Sequence, residues 1–312
     1  MAKRTYLVTG GAGFIGSHIS ERLVREGHRV RVLDDFSSGK ETNLEAFRDG
    51  VEVVRGDIRD PRLVNDAATG VDIVFHEAAL GSVPRSVADP LTTHEVNITG
   101  TLNVLLAARE AGVKRVVYAS SSSVYGETPV LPKREDMTVQ PLSPYALSKL
   151  VGEHYANVFK HVYDFEVVCL RYFNIFGPRQ DLESQYAAVI PRFITALLSG
   201  KSPIVYGDGL QSRDFTYVDN VVDANLLASE ADGAAGQAFN VACGGRYTLV
   251  DLLAKLRELI GTEIEATHEA ARAGDVRDSQ ASIEAARRTL GYQVSVGFEE
   301  GLLRTVDWYR NK

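Results

Sequence analysis

The chain has 312 residues, of which 45% are hydrophobic and 24% charged, so it can bury a sizeable core in one large or two smaller domains. Its formal net charge of −7 argues against a nucleic-acid or membrane surface as partner, although a local basic pocket for a small anion is compatible with it. Two cysteines without a CxxC motif favour a reducing cytoplasm and disfavour a metal site. No signal peptide opens the sequence and no apolar run reaches the roughly 20 residues of a membrane span, so we expect a cytoplasmic protein.

A glycine-rich turn follows the first predicted strand, Thr5–Thr9, and leads into a predicted helix over Ser17–Glu26. A second strand, Arg29–Leu33, then ends at Asp34. Strand, turn, helix, strand and acid together are typical of a dinucleotide site, because glycine lets the backbone approach a pyrophosphate and the helix N-terminus favours its charge. Asp34 can accept hydrogen bonds from a ribose diol and would repel a 2′-phosphate, which favours NAD over NADP. The glycines of the turn are Gly10, Gly13 and Gly16.

Strand-like and helix-like segments continue to alternate through the first half of the chain, which predicts a parallel sheet with helices on both faces, a Rossmann-type α/β fold. The further predicted strands are Val51–Arg55, Asp72–His76, Arg115–Ala119 and Glu166–Arg171. Asp57 and Ile58 follow the third strand, where an adenine would lie. The small residues Ala78 and Ala79 follow the fourth and would admit a dinucleotide. Asn97 precedes a predicted helix, so a helix cap is nearly as strong an interpretation for it as a cofactor contact.

Tyr145 and Lys149 are four residues apart in a predicted helix and therefore share one face. Tyrosine titrates near pH ~10, and a fixed positive neighbour favours its phenolate, so the two residues are a candidate acid–base pair. The serine run 120–123 could supply a hydroxyl to hold the oxygen on which the phenol acts. Chance produces this spacing readily, so the interpretation depends on the surrounding pattern.

Taken together, these features resemble the extended short-chain dehydrogenase/reductase superfamily and, within it, the nucleotide-sugar epimerases. The resemblance covers nearly the whole chain and depends on the glycine spacing, on Asp34 and Asp57, and on the Tyr145-x-x-x-Lys149 motif. It implies tightly bound NAD, Tyr145 as acid–base residue, and Lys149 as the group that holds the nicotinamide ribose and lowers the pKa of Tyr145. The cofactor contacts expected on these grounds are Gly10, Gly13, Phe14, Ile15, Gly16, Asp34, Ser37, Ser38, Gly39, Asp57, Ile58, Ala78, Ala79, Asn97, Tyr145, Lys149 and Tyr172.

The serines before Tyr125-Gly126 separate reaction types within the resembled family. By the resemblance, Ser121 is a catalytic residue that hydrogen-bonds the sugar hydroxyl to be oxidised. Relatives that eliminate water or decarboxylate usually carry acids just after it, where this chain has Ser122 and Ser123, and neither can act as a carboxylate acid or base. Oxidation at C4 and its reversal then remain, which is epimerisation. As a purely structural alternative, hydroxyls at a strand end cap backbone groups, which we expect of Ser120 and Ser123 more than of Ser121.

A turn-rich break follows the strand that ends at Arg171. We expect residues 1–176 to form the NAD-binding domain, with the chain returning to it around 207–243, and residues 177–312 to form mainly the UDP-sugar-binding lobe. The further predicted elements are helices at 187–198, 249–260, 283–290 and 298–309 and a short strand at 204–206. Arg213 and Arg272 are candidate ligands of a nucleoside diphosphate, because the planar guanidinium suits phosphate oxygens.

The resemblance implies a set of substrate contacts, with Asn174 at the phosphates, Val189 and Tyr206 at the uracil and Asp275 at the uridine ribose. At the position of Ser279, members restricted to unacetylated hexoses often carry a bulky tyrosine against the sugar C2. A serine leaves room for an acetamido group but also permits unacetylated sugars, and a surface-facing serine is the simpler alternative. The complete expected set is Ser82, Ser121, Ser122, Asn174, Val189, Tyr206, Arg213, Arg272, Asp275 and Ser279.

The sequence therefore predicts reversible C4 epimerisation of UDP-GlcNAc/UDP-GalNAc, of UDP-Glc/UDP-Gal, or of both, through a 4-keto intermediate with bound NAD. A UDP-glucuronate 4-epimerase is an alternative, because the SSSSVYG run also occurs in that group. A non-catalytic NAD-binding sensor is an alternative of another class. The resemblance also implies a homodimer.

Overall fold

Short strands, most of them apolar, occur along the whole computed structural model, which describes residues 3–180, 188–270 and 277–312. The strands are β1 (Thr5–Thr9), β2 (Arg29–Asp34), β3 (Val51–Arg55), β4 (Ile73–His76), β5 (Arg115–Ser121), β6 (Glu166–Tyr172), β7 (Ile175–Phe176), β8 (Ile204–Tyr206), β9 (Ser212–Arg213), β10 (Thr216–Tyr217), β11 (Ala238–Val241), β12 (Tyr247–Thr248) and β13 (Thr267–Glu269). In the middle of the chain, β4 is buried along its full length, and β5 and β6 are buried at all but one residue each, as expected for strands covered on both faces.

Helices occupy most of the segments between the strands. They are α1 (Phe14–Arg25), α2 (Pro61–Ala68), α3 (Val83–Ala88), α4 (Pro90–His94), α5 (Thr101–Glu110), α6 (Pro144–Tyr163), α7 (Val189–Leu198), α8 (Val218–Glu230), α9 (Leu249–Ile260), α10 (Glu284–Leu290) and α11 (Phe298–Arg310). A π-helical turn, Glu95–Gly100, joins α4 to α5, and a 3-10 turn, Ser122–Tyr125, follows β5. No helix within the described ranges is both long and apolar enough to cross a membrane.

Seven strands form one sheet in the order β11-β6-β5-β4-β1-β2-β3, and all its neighbours run parallel. The predicted doubly wound parallel sheet is therefore confirmed. Because successive side chains of a strand point to opposite faces, Leu7 and Val8 of β1 enter different cores. Val8 packs in a core that includes residues of α1 and α8, whereas Leu7 packs with residues of α2, α5 and α6.

A third core lies in the C-terminal part of the chain, between α7, α9, α11 and short strand pairs. Phe176, Phe215 and Phe298 form its aromatic centre, with ring centroids 5.5 to 6.3 Å apart. The chain does not stay in this region after leaving β6. It returns with α8, which packs against α1, and with β11, which extends the large sheet beside β6.

Most predicted elements agree with the structure, and those at 5–9, 51–55, 204–206 and 249–260 agree at both ends. The predicted helix 187–198 begins at Val189 within the described residues, and residue 187 lies outside them. The first helix is a correction, because it begins at Phe14 rather than at Ser17. The prediction treated Gly16 as part of the turn, whereas the structure places it in the first helical turn. A Cβ there would lie 2.2 Å from the carbonyl oxygen of Gly10, so the tight packing of the turn explains a glycine inside the helix.

Candidate active site

A cleft of about 570 Å³ runs along the carboxyl ends of the central strands. It shares Asn174 and Ile175 with a second cleft of about 260 Å³, which lies toward the C-terminal core. Strand order reverses between β1 and β4, and ligands of open α/β sheets bind at such a switch point, outside the carboxyl ends of the strands. The two clefts thus offer one continuous site for an elongated ligand.

The glycine turn lies at one end of the first cleft, and its backbone passes close to the backbone after β4. Gly10 has φ +69°, and a Cβ on it would lie 2.7 Å from the backbone nitrogen of Ala78. Gly13, Phe14 and Ile15 line the cleft where α1 begins, so the first turn of the helix, whose N–H groups have no partner within the helix, presents its positive end there. This concavity suits a pyrophosphate, and the residues present therefore fit a dinucleotide.

Asp34 is a buried carboxylate at the edge of the same cleft. Its oxygens accept hydrogen bonds from the backbone nitrogens of Ala12 (2.9 Å) and Phe36 (2.8 Å). Burial raises the pKa of Asp34, and these hydrogen bonds oppose the rise. A Cβ on Gly39 would lie 2.7 Å from Asp34 Oδ1, so a glycine is needed where the next loop passes the carboxylate.

The remaining predicted cofactor residues lie along the first cleft, with two exceptions. Those that line it are Ser37, Ser38, Asp57, Ile58, Ala78, Ala79, Tyr145, Lys149 and Tyr172. Gly39 and Asn97 are the two that do not line it. Arg59 hydrogen-bonds the Asp57 carboxylate, and this contact lowers the pKa of Asp57.

Asn97 does not cap a helix, so that interpretation is wrong. The segment around it is already helical, and its buried side-chain amide accepts from Leu80 N at 2.8 Å and donates to Leu80 O at 3.3 Å. The same amide donates to Ser148 Oγ at 3.0 Å. Asn97 thereby fastens the loop after β4 to α6, the helix of the acid–base pair, and its predicted cofactor contact stays a prediction.

Helix α6 carries Tyr145 and Lys149 into the first cleft. Pro144 occupies its first position and Ser143 Oγ accepts from Ala146 N at 3.1 Å, a regular helix start. The Lys149 ammonium is buried and donates to Ala119 O at 2.7 Å. Burial lowers the pKa of Lys149 to about 8, because it disfavours the charged form.

In the protein alone, three influences other than Lys149 act on the pKa of Tyr145, so the predicted lowering by Lys149 stays a prediction. Burial raises the pKa of Tyr145, a hydrogen bond with the Ser121 side chain lowers it, and the nearby Glu77 carboxylate raises it. Lys149 directs its ammonium at the Ala119 carbonyl instead. In the protein alone, Ser121 is therefore the group that favours the phenolate.

The serines at the end of β5 and just after it have roles that differ from those expected from the sequence. Ser121 Oγ accepts from Ser123 N at 3.2 Å and from Ser123 Oγ at 2.9 Å, so Ser121 itself caps the 3-10 turn while it also bonds Tyr145. Ser120 caps no backbone group; its hydroxyl donates to the carboxylate of Glu153 on α6. The expectation that Ser120 would be a cap and Ser121 would not is therefore wrong. Ser122 lines the cleft, and its predicted substrate contact stays a prediction.

The second cleft brings together four of the predicted substrate residues: Asn174, Val189, Tyr206 and Arg213. Asn174 adopts φ +40°, and its amide donates to Asp214 O at 3.2 Å and to Ser279 Oγ at 3.4 Å. Ser279 therefore stands beside the junction of the two clefts. Ser82 is not itself in the lining, although its neighbours Gly81 and Val83 line the first cleft, and its hydroxyl caps α3 by accepting from Arg85 N at 3.2 Å. Arg272 and Asp275 lie outside the described residues.

Sequence reasoning missed several residues that line the clefts. Gln180 lines the first, and Arg192 lines the second with its guanidinium 5.5 Å from the Tyr206 ring centroid. The most consequential is Glu77, which lines the first cleft with Tyr145 and Lys149. An acid at the carboxyl end of the apolar strand Ile73–His76 was the available signal. No group of three or more His, Cys, Asp or Glu side chains in the described ranges could hold a metal ion.

The model of one protein family, described as the NAD dependent epimerase/dehydratase family, matches residues 6–242. The chain belongs to this family. The family predicted from the sequence is thus confirmed, and with it an enzyme that depends on NAD.

Similar proteins match this family member over nearly its whole length. The UDP-glucose 4-epimerase of Mycolicibacterium smegmatis is 42% identical over 310 residues, 98% of each chain. Among solved structures, a UDP-N-acetylglucosamine 4-epimerase from Methanobrevibacter ruminantium M1, in complex with UDP-N-acetylmuramic acid, matches with a TM-score of 0.95 at 40% identity and covers 100% of this chain and 99% of that one. A UDP-glucose 4-epimerase from Thermotoga maritima, with UDP-glucose, matches with a TM-score of 0.94 at 37% identity, over 98% and 99% of the two chains.

Proposed function

We propose that this enzyme inverts C4 of a UDP-sugar reversibly, through a 4-keto intermediate. The observation that carries the proposal is the meeting of Tyr145, Ser121 and Lys149 at one end of a cleft that begins at the glycine turn. That cleft continues past Asn174 into a second one lined by Arg213, so the site has room for a nucleotide beyond the reacting sugar. The family and the names of the relatives support the same reaction.

NAD, when bound, supplies a reversible hydride acceptor for C4 of the sugar. The glycine turn and the N-terminus of α1 would hold its pyrophosphate, because the helix N-terminus favours negative charge. Asp34 would accept hydrogen bonds from the hydroxyls of the adenine ribose, and Lys149 would hold the nicotinamide ribose. We further propose that residues 1–176, with the return around 207–243, hold the cofactor, and that residues 177–312 mainly hold the UDP-sugar.

The protein's own residues move one proton in each direction. Tyr145, as phenolate, takes the proton of the 4-hydroxyl, and Ser121 hydrogen-bonds the same oxygen. The buried Lys149 ammonium stabilises the phenolate electrostatically. The keto sugar then rotates to present its other face while its UDP is held near Arg213. Tyr145 returns the proton to the C4 oxygen, which gives the opposite epimer. Ser122 and Ser123 offer no carboxylate that could divert the keto sugar to elimination.

For the sugar itself, we propose that both UDP-N-acetylhexosamines and UDP-hexoses are accepted. Ser279 lies beside Asn174 at the junction of the clefts, where the sugar and the diphosphate would meet. Its hydroxymethyl group leaves the volume that an acetamido group at C2 requires. A bulkier residue at this position would fill that volume.

We also propose that the enzyme forms a homodimer. Exposed apolar side chains mark neighbouring helices: Val87 on α3, Leu91 on α4, and Leu147, Val158 and Val162 on α6. Helix α6 packs against α3 and α4, and the spacing of its three residues places them along one side. Apolar groups of this extent on neighbouring elements are typical of an interface.

Product analysis tests the proposed reaction. The enzyme with NAD is incubated separately with UDP-GlcNAc, UDP-glucose and UDP-glucuronate, and the nucleotide sugars are separated chromatographically. We expect the C4 epimers of the first two. Epimerisation of UDP-glucuronate alone would replace the proposal by the glucuronate alternative, and the absence of any epimer would refute it.

Tyr145→Phe tests the assignment of the base. We expect this variant to lose turnover while calorimetry still detects binding of NAD and UDP, because only the ionisable hydroxyl is removed. Tyr163→Phe is the matched control, since Tyr163 is an exposed tyrosine on the same helix. Turnover that survives in Tyr145→Phe would exclude Tyr145 as the base.

A further inference from the structure

Glu77 is a carboxylate in the acid–base site to which neither the sequence nor the reaction above gives a role. It directly follows β4, and its backbone nitrogen donates to Thr9 O at 3.1 Å, which fixes the chain at the sheet edge. Its side chain lines the same cleft as Tyr145 and Lys149. A group in this position acts on the charges of both residues.

Two buried polar side chains hold the Glu77 carboxylate in place. The Tyr172 hydroxyl donates to Glu77 Oε1 at 2.8 Å, and Asn225 Nδ2 donates to the Tyr172 hydroxyl at 2.8 Å. The same Asn225 nitrogen donates to Val221 O at 2.8 Å. A flipped Asn225 amide would place its oxygen against the Val221 carbonyl oxygen, so the direction of these hydrogen bonds is fixed. The Tyr172 hydroxyl must therefore donate its single hydrogen to Glu77, whose carboxylate oxygen is the acceptor.

The charges around this carboxylate are few. Burial raises the pKa of Glu77 to about 7, and the Tyr172 hydroxyl and the Lys149 ammonium oppose the rise. Burial lowers the pKa of His76 to about 3, so the neighbouring imidazole stays neutral. Burial likewise raises the pKa values of Tyr118 and Cys169, which stay uncharged. Glu153 and Arg171, behind them, form an ion pair of their own.

We propose that Glu77 is a positioning residue of the acid–base site, whose carboxylate, held by Tyr172 and Asn225, is the counter-charge of the Lys149 ammonium. This inference rests on the proposed function for its catalytic consequence. A negative charge beside the pair favours the protonated forms of Lys149 and Tyr145 alike. Glu77 then sets the pH range in which Lys149 is charged and Tyr145 can act as base.

Two substitutions separate charge from shape. Glu77→Gln keeps the size of the side chain and removes the charge, whereas Glu77→Asp keeps the charge and shortens the side chain. If Glu77 is the counter-charge, both limbs of the pH profile of kcat/KM move to lower pH in Glu77→Gln and stay near the wild-type positions in Glu77→Asp. Glu135→Gln, at a carboxylate outside the cleft, should leave the limbs where they are. Coincident limbs in Glu77→Gln and the wild type, or an equal shift in Glu77→Asp, would overturn the proposal.

A second measurement needs no substrate, so it decides about Glu77 even if the proposed reaction is wrong. A carboxyl whose pKa is raised in the folded state, here from 4.5 to about 7, stabilises the fold below the lower value and loses that contribution as pH rises through the higher one. The stability difference between Glu77→Gln and the wild type should therefore change across this window in denaturant titrations. It should then level off above about pH 7, once the carboxyl is ionised in both states. A difference that keeps changing with the same slope up to about pH 9 would show that Glu77 stays protonated in the folded protein, which contradicts its role as counter-charge. If this difference changes as expected while no UDP-sugar is epimerised, the proposed reaction fails and the electrostatic pairing stands.

Discussion

The buried ion pair behind the active site offers a sharp test of what positions the catalytic helix. Arg171 of β6 donates to Glu153 of α6 through two parallel hydrogen bonds, Nε to Oε1 at 2.9 Å and Nη2 to Oε2 at 2.7 Å. The side chains are only 7% and 8% exposed. Glu153→Gln keeps the volume but places an amide NH₂ where one of the guanidinium N–H groups needs an acceptor, and it leaves the Arg171 charge buried without its counter-ion.

The expected cost follows from the burial of the pair. Removing one partner of a buried ion pair costs about 3–5 kcal/mol, because the remaining charge is uncompensated. An unfolding entropy of about 2.1 cal/mol/K per residue gives about 0.65 kcal/mol/K for a chain of this length, so Tm should fall by about 5–8 °C. Helix α6 should also be less firmly held, so we expect a lower kcat at wild-type KM for the UDP-sugar.

Thermal unfolding followed by far-ultraviolet circular dichroism measures this cost, and Glu300→Gln is the matched control. Glu300 pairs with Arg304 one helical turn away, but the two side chains are 53% and 46% exposed, so the control should cost less than about 0.5 kcal/mol. A Tm loss in Glu153→Gln no larger than that of Glu300→Gln would refute the view that the pair anchors α6. Replacing both members, as Glu153→Leu with Arg171→Met, should recover part of the stability because no charge is left unpaired.

Three further predictions concern the cofactor, the sugar and the assembly. Gly16→Ala should weaken NAD binding at least about 10-fold by calorimetry, since a Cβ there would lie 2.2 Å from a backbone oxygen, whereas Gly297→Ala, with no atom within 4 Å, should bind normally. Ser279→Tyr should lower kcat/KM for UDP-GlcNAc about 10- to 100-fold more than for UDP-glucose in competition assays; equal losses would contradict the role of Ser279 in accepting the acetamido group. Leu147→Glu should shift the enzyme toward monomers in light scattering coupled to gel filtration, whereas Leu303→Glu, on the exposed side of α11, should not.

The sequence was informative wherever function depends on backbone shape or on neighbours along the chain. The turn around Gly10 could be predicted because close backbone contact demands glycine, and the spacing of Tyr145 and Lys149 because a helix repeats about every 3.6 residues. The strands β1–β6 and β8 were recognisable as apolar runs between turns, whereas β11 of the large sheet and the remaining two- and three-residue strands were not predicted. Even so, the start of α1 was misplaced, because Gly16 is required inside the helix by a contact with the turn before it.

The sequence was much less informative about partners that come from distant parts of the chain. The hydroxyl of Ser120 bonds a carboxylate 33 residues away, and Asn97 bonds a serine 51 residues away. Glu77 meets Tyr172 across 95 residues. No local pattern encodes such contacts, because they are created only when β4, β5 and β6 are brought side by side. The effects of burial and of Glu77 on the pKa of Tyr145 were not predicted for the same reason.

Helix α6 and the end of β5 show how this fold joins catalysis to stability. Tyr145, Lys149 and Glu153 succeed one another at intervals of four residues, about 6 Å along the helix, and so form a single row. The first bonds the Ser121 side chain, the second the Ala119 carbonyl and the third the Ser120 hydroxyl. All three side chains of the row therefore contact the consecutive residues 119–121 at the end of β5. Any change that slides α6 along β5 must disturb the acid–base pair and the buried ion pair together, so the catalytic geometry is as rigid as the core that supports it.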